Sequence, residues 1–476
     1  MDHHDASPNN ASPVVLARPI RGLCVWVTLL FLGVYLLSSG TGFYSTDGET
    51  MLRTTWAIVD RGRLAVPCDP GQPSAVEGRD SRCYSRYGLG QPLAAAPLYL
   101  VGRGVAAVLS HLDYGEVQRF VMARFNQIIS ALAVGMVCAV GALLYRSWRA
   151  GVGLALLYGL GTLALPYARF YFNEPLVTLG LVVGLYGLVR RAQGAPTTWL
   201  VVGGVGFGWA VLTRPPVVVL LPLFLVYLWS VWPDRMPSSS RLWGLAAFAV
   251  PVVLLGWVQV VYQLWAFGSP FGGGYAGETW GTPLWTGLYG LLLSPGKGLV
   301  IFVPLVLLAP LGWATWWTEG RRREVRLSVG VAVVWLLVHA PWWTWHGGWS
   351  WGPRFLVPVL PFLILPIASL WRQGWLMRVL IVALAAAGFA VQLGGVLVDF
   401  GDYMLLVNDE DKVLFDPNYQ PIWGHYRMIR DGAPPDLVFV AMTARAALAW
   451  VLGAAGLIFL AVAKIWRGWR AQEPWS

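Results

Sequence analysis

GLCVWVTLLFLGVYLLSS, residues 22–39, decides the class of fold. The stretch carries no charge, Arg18 and Arg21 stand just before it, and as a helix rising about 1.5 Å per residue it reaches most of the way across a hydrocarbon core. Its apolar region is too long for a signal peptide and no convincing small-residue cleavage site follows, so it reads as a retained span. Lipid offers no partner for backbone N–H and C=O groups, so a stretch of this kind must be helical. The whole chain has the same character: 57% hydrophobic against 12% charged residues excludes a soluble domain. Its 28 Trp suit a protein with much membrane–water interface.

Working outward, further apolar stretches lie at 120–145, 151–167, 174–189, 199–212, 216–232, 242–265, 299–317, 327–343, 355–371, 379–398 and 437–463. With the first they predict an all-α, polytopic transmembrane helical bundle of about twelve spans. The shortest pair divides at Arg214-Pro215-Pro216; Arg190 and Arg191 before it and Arg235 and Arg241 after it must share one side, which requires both crossings. Residues 91–109 are also apolar, yet Pro92, Pro97 and the Gly102-Arg103-Gly104 step interrupt them. A crossing there would turn every downstream Arg-rich loop outward, so they are expected to lie along the interface. The organisation is then a cytoplasmic tail at 1–21, one transmembrane domain at 22–466 and a cytoplasmic tail at 467–476. Extracytoplasmic loops fall at 40–119, with interfacial helices, and at 266–298 and 399–436. No internal repeat or separate soluble domain is evident.

A net charge of +10 suggests nucleic acid or polyanions until the charges are sorted by side. Loops assigned to the cytoplasm hold 17 of the 34 basic residues and six of the 24 acidic ones, leaving the rest balanced. This is the positive-inside pattern, with no nucleic-acid partner implied. Cys24 and Cys138 fall in apolar helices as small hydrophobes. Cys68 and Cys83 share one outer loop, where a disulfide worth on the order of 3 kcal/mol is expected and two free thiols are the alternative.

The cytoplasmic loops hold little acid or histidine, so the chemistry is expected on the outer side. Residues 45–50, STDGET, place Asp47 and Glu49 just after the first span. Thr46 and Glu49 have capping-box spacing, and acids also favour a first turn, so a helix start and a site are both open readings. Glu174, in RFYFNEP at 169–175, has the same two readings, and Glu278 is a further acid. Arg124, Arg169, Arg214, Lys297 and Arg354 are cations at the same level. Each alone reads as snorkelling or structural pairing, while together they suit an anionic head group. His346 is a lone histidine, more often structural than a base or ligand. Trp342, Trp343, Trp345, Trp349 and Trp351 form either an interfacial belt or a surface on which a sugar stacks. No GxxxxGK[ST] motif occurs, SPGKG at 294–298 has the wrong spacing, and no His/Cys set suggests zinc.

These features together resemble the type C integral-membrane glycosyltransferases, which include protein O-mannosyltransferases and lipid A aminoarabinose transferases. Asp47-Gly48-Glu49, followed by Trp56 to Arg63 and Pro67, resembles that family's acidic motif and the helix and turn after it. Tyr87-Gly88-Leu89-Gly90-Gln91-Pro92-Leu93 and Pro97-Leu98-Tyr99 resemble its interfacial segment, and Arg124 in Ala123-Arg124-Phe125 resembles the arginine opening its second span. The 169–175 stretch and Gly347-Gly348-Trp349-Ser350-Trp351-Gly352-Pro353-Arg354 are similar to patterns in bacterial members. Gly48 separates carboxylates that are adjacent in many members, which puts in doubt which is the catalytic acid; Asp47 is favoured.

The resemblance implies inverting transfer of a sugar from a polyprenyl-phosphate carrier to a glycan, lipid or protein acceptor, outside a bacterial cytoplasmic membrane with both termini inside. Asp47 is then the base, its basicity raised by desolvation, with Glu49 and Glu174 as the other catalytic acids. Arg169, Lys297 or Arg354 would stabilise the leaving phosphate, with Arg124, His346 and Trp349 also binding substrate. A divalent cation, Mg or Mn, held by Asp47 and Glu174, is the cofactor that would serve the same end. A transporter or flippase for lipid-linked sugars is the alternative. Transporters tend to carry charges within spans, and only Arg445 is an obvious one here.

Overall fold

The computed structural model describes residues 18–232 and 237–470. Most of the N-terminal tail, the loop with Asp234 and Arg235, and residues 471–476 lie outside the described residues. Five described helices are long and apolar enough to cross a membrane: Tyr114–Tyr145, Glu174–Ala192, Ser238–Phe267, Trp375–Leu397 and Ala444–Gly468. Shorter apolar helices include Gly22–Leu37, Thr198–Thr213 and Pro215–Val231. Helices this apolar, running through a predominantly helical chain with almost no sheet, make an integral membrane protein.

Several stretches read as single spans are broken, among them 437–463, where Val438–Ala441 stops before Ala444–Arg470, and 216–232, where a 3₁₀ turn Pro215–Leu220 precedes Leu221–Val231. At 151–167 the helix Trp148–Gly161 stops before Ala164–Tyr167. There the Thr162 hydroxyl bonds back to the Tyr158 carbonyl at 2.6 Å and its backbone turns extended. At 299–317, Leu299–Phe302, a 3₁₀ turn Pro304–Leu308 and Ala309–Thr318 follow one another. At 355–371 the pieces are Arg354–Val359, Leu360–Ile364 and Ile367–Leu370. Proline, lacking an N–H and clashing with the preceding turn, explains these last two. Conversely, 91–109 is one unbroken helix, Gly90–Val108. Pro92 sits in its first turn, where no N–H partner is needed, and Pro97 forfeits a single bond.

Glycines set the closest helix contacts. Glu174–Ala192 packs on Thr198–Thr213 where a Cβ at Gly180 would lie 2.5 Å from the Gly206 carbonyl oxygen, and one at Gly187 as near the Trp199 oxygen. The first helix, Arg18–Leu37, packs on the last, Ala444–Arg470. Outside this bundle the helix Thr46–Arg61 is capped by Ser45, not Thr46: the Ser45 hydroxyl accepts from the Gly48 N–H at 3.0 Å. Its Met51 and Leu52 share a core with Tyr99 of Gly90–Val108 and with Tyr171. Between those two helices runs an antiparallel hairpin, Ala75–Glu77 with Cys83–Ser85, pairing Val76 with Tyr84. A disulfide joins Cys68 to Cys83 beside it.

Candidate active site

The Ser45 cap aims the first turn of Thr46–Arg61, and with it Asp47, into a cavity of about 1520 Å³. Asp47 Oδ2 accepts from Arg354 Nη1 at 3.0 Å and Oδ1 from the Ser74 hydroxyl at 3.0 Å, which in turn lies 3.2 Å from the Tyr87 hydroxyl. Tyr87 reaches this position because Gly88 lets the chain pass hard against a helix end; a Cβ there would lie 2.1 Å from the Leu212 carbonyl oxygen.

Arg354 is shared between two acids. Its Nε lies 3.9 Å from Glu174 Oε1, and its guanidinium covers the Phe172 ring at 4.6 Å. Asn126 holds that segment by donating to the carbonyls of Phe170 and, at 2.7 Å, Phe172. Arg214 Nη1 donates to the same Glu174 oxygen at 2.9 Å. The break before Pro215-Pro216 presents it, since a residue preceding proline is pushed into extended backbone; Arg214 has φ −141° and ψ 96°. Arg214 Nη2 also lies 3.2 Å from His339 Nε2, whose Nδ1 is 2.9 Å from the Trp335 carbonyl. Guanidinium only donates and a carbonyl only accepts, so the imidazole carries its proton on Nδ1. A continuous line of hydrogen bonds and ion pairs therefore runs from His339 through Arg214, Glu174 and Arg354 to Asp47.

Burial alone would push the Asp47 carboxyl up. The Arg354 charge, with hydrogen bonds from Tyr87, Ser74 and Arg354, outweighs it and holds the group below its ordinary value of 3.8. The expectation that desolvation makes Asp47 a stronger base is thus corrected for the free protein.

The rest of the lining changes character. Val218, Val219, Val253 and Trp257, on the helices Pro215–Val231 and Ser238–Phe267, form an apolar wall whose side chains stay exposed. Elsewhere the lining is aromatic and polar, with Trp280, Trp343, Trp349, Arg86 and Glu278.

The fold is similar to that of ArnT. The ArnT of Cupriavidus metallidurans bound to undecaprenyl phosphate matches with a TM-score of 0.48 and 17% identity, over 95% of this chain and 76% of that one. AglB, the oligosaccharyltransferase of Archaeoglobus fulgidus in complex with an inhibitory peptide and a dolichol-phosphate, matches at 0.46 and 12%, over 94% of this chain and 56% of that one. No family model and no curated protein matches the sequence.

Of the residues singled out from sequence, Asp47, Glu174, Arg214, Glu278, Trp342, Trp343, Trp349 and Arg354 line the cavity, and Glu49, Arg124, Arg169, Lys297, Trp345, His346 and Trp351 do not. Glu49 takes Arg53 at 2.9 Å and Arg119 at 3.1 and 2.8 Å, tying Thr46–Arg61 to the start of Tyr114–Tyr145. Burial would push its carboxyl up, but the hydrogen bonds and charges of Arg119 and Arg53 hold it down. Arg124 donates to the Gly40 carbonyl and covers Phe120 and Trp450. Arg169 pairs with Asp436 and donates to the Tyr44 hydroxyl at 2.7 Å. Lys297 donates to the Gly348 carbonyl at 3.0 Å and to both oxygens of Ser350, clamping the turn that carries Trp349; burial, aided by the Arg354 charge, pushes its ammonium well down. His346 Nδ1 lies 3.1 Å from Glu410 Oε1. Ser74, Arg86 and His339 entered the site with no sequence signal.

A divalent cation would need oxygens of Asp47 and Glu174 to converge on it. Instead the Arg354 guanidinium lies between the two carboxylates, and Arg214 takes the Glu174 oxygen as well. Among the described residues no three or more His, Cys, Asp or Glu gather as a ligand set. These residues do not fit the cation that the resemblance implies.

Proposed function

We propose that the protein is a glycosyltransferase that moves a sugar, with inversion, from a polyprenyl-phosphate carrier to an acceptor on the extracytoplasmic face of a bacterial cytoplasmic membrane. In this reading the chain crosses about twelve times with both termini inside. One observation carries the proposal: a single cavity joins an exposed apolar wall to a largely buried Asp47–Arg354 pair backed by Arg214. A lipid-linked anion has those two parts, a tail that belongs in hydrocarbon and a phosphate that needs guanidinium.

The acceptor oxygen bonds to the anomeric carbon from the face opposite the phosphate as the bond from that carbon to the phosphate oxygen breaks. The acceptor's proton passes to Asp47, and the polyprenyl phosphate leaves as an anion held by Arg354 and Arg214. A phosphate beside Arg354 offsets the positive field on Asp47. The carboxylate, a weak base in the free protein, becomes a stronger one when donor is bound.

Transfer of radiolabelled sugar from a panel of polyprenyl-phosphate donors, by the purified protein in lipid, tests the proposal. Wild type is expected to transfer and folded Asp47→Asn to lose it. Movement of a lipid-linked sugar between leaflets, with no transfer from any donor, would replace the enzyme with a flippase.

A further inference from the structure

We infer that Trp280, Trp343 and Trp349 form an acceptor subsite that takes a pyranose ring, making the acceptor a glycan. This rests on the glycosyltransferase reading above. A carrier lying along the Val218, Val253 and Trp257 wall fills the apolar part of the cavity, which leaves the aromatic part for the second substrate.

Two features of these indoles separate a sugar shelf from an interfacial belt. Belt tryptophans sit with an apolar ring in lipid and a polar N–H toward water. Here Trp343 Nε1 donates to Glu278 Oε2 at 2.8 Å, and Trp280 Nε1 to the Val338 carbonyl at 3.0 Å. Their polar ends are bonded to protein groups and not left for water, while the rings stay 51% and 61% exposed and line the cavity. Trp280 is further braced edge-on against Trp342, with centroids 4.7 Å apart. Fixed aromatic faces lose little entropy on binding.

The second feature is what lies beside the rings. Glu278 pairs with Arg86, which stacks at 4.5 Å on Tyr275. A pyranose has a flat face of C–H groups and a rim of hydroxyls. Ring faces beside a carboxylate and a guanidinium match both parts, whereas a lipid acceptor would need no such polar pair.

The shelf also adjoins the reacting groups from two directions. From Trp343 the contacts run through Glu278 and Arg86 to the adjacent Tyr87, then Ser74 and Asp47. From Trp349 they run along the Lys297-clamped turn to Gly347, where a Cβ would lie 2.8 Å from the Arg354 side chain. Gly347 has φ +76°, a backbone that glycine adopts without strain.

The test uses full-length protein in lipid nanodiscs and two readouts. Maltotetraose, cellotetraose and mannotetraose are titrated into folded Asp47→Asn protein while indole fluorescence is followed. At least one is expected to shift the emission, and Trp343→Ala in that background to weaken the binding about tenfold, with Trp343→Phe recovering most of it. In the active protein, Trp280→Ala and Trp343→Ala are expected to raise the acceptor KM about tenfold while donor KM moves less than about twofold. Saturable binding of no sugar overturns the inference, as does a peptide or sugar-free lipid acceptor whose KM ignores both substitutions. Transfer to such an acceptor would leave the glycosyltransferase reading standing. Absence of transfer alongside Trp343-dependent sugar binding would sink that reading and keep the shelf.

Discussion

Arg354 Nη1 meets Asp47 Oδ2 at 3.0 Å across 307 residues of sequence. Neither group stands alone in a low-dielectric cavity, because an unpaired buried charge costs several kcal/mol. Their pairing lets a carboxylate and a guanidinium wait, both ionised, at the head of an apolar groove. The same guanidinium leans on Glu174, so displacing it disturbs both acids.

Arg354→Lys is therefore expected to be far from conservative. An ammonium is a compact charge that cannot address Asp47 and Glu174 together while lying flat on Phe172, as the guanidinium does. Single-turnover transfer in lipid should fall about a hundredfold, the scale of removing a donor from a developing anion. A wild-type rate would remove Arg354 from the leaving-group role.

The pH profile follows from the same pair. Asp47 is held below its ordinary value, so it is ionised at all pH above that value, and its charge is lost only as pH falls through the depressed pKa. Over the range from about pH 8 to about pH 5, kcat/KM should show no acid limb. In Arg354→Gln the burial that pushes Asp47 up is no longer opposed, and an acid limb should enter that window. A wild-type limb near neutrality would mean that another group controls the reaction.

How much of this was legible beforehand depends on the distance over which each feature is determined. Apolar runs report local burial, so the long helices emerged near their expected bounds. The breaks at Thr162 and among Pro358, Pro361 and Pro366 arise from single side chains that composition averages away. Within Asp47-Gly48-Glu49 the division of labour was readable in principle. Residues two apart do not share a helix face, and Arg53 stands four beyond Glu49, an ion pair visible in the sequence. Ser74, Arg86 and His339 were not readable, because nothing near them in sequence marks their partners. The likeness of Arg124, Arg169 and Lys297 as outer-side cations hid three different packing roles.

His339 offers a test of the line of contacts behind Arg354. It accepts from Arg214 through Nε2 while its Nδ1 is fixed on Trp335. His339→Leu leaves Arg214 with an unmet donor and freer to leave Glu174. Donor KM should rise about tenfold, with His339→Gln, which keeps an acceptor, recovering part of it. Equal kinetics in the leucine variant and wild type would show that Glu174 alone holds Arg214.

The disulfide gives a prediction about position rather than charge. Cys68 and Cys83 close a 15-residue separation that contains Ser74, and the chain leaves Cys83 directly toward Tyr87, so both residues beside Asp47 hang on that link. Closing a loop of this size removes roughly 3 kcal/mol of unfolded-chain entropy from the segment. Opening it by Cys68→Ser with Cys83→Ser should leave the transmembrane helices folded, since their cores do not include these residues. The outer segment should then become a site of proteolytic cutting between 69 and 82, and kcat should fall as Ser74 wanders from Asp47. Donor KM should change little, because Arg354 and Arg214 are anchored elsewhere, at Glu174. Limited proteolysis and steady-state kinetics on the same preparation separate the outcomes: cutting without loss of kcat would show that Ser74 is dispensable, and a large rise in donor KM would show that the disulfide supports the phosphate end instead.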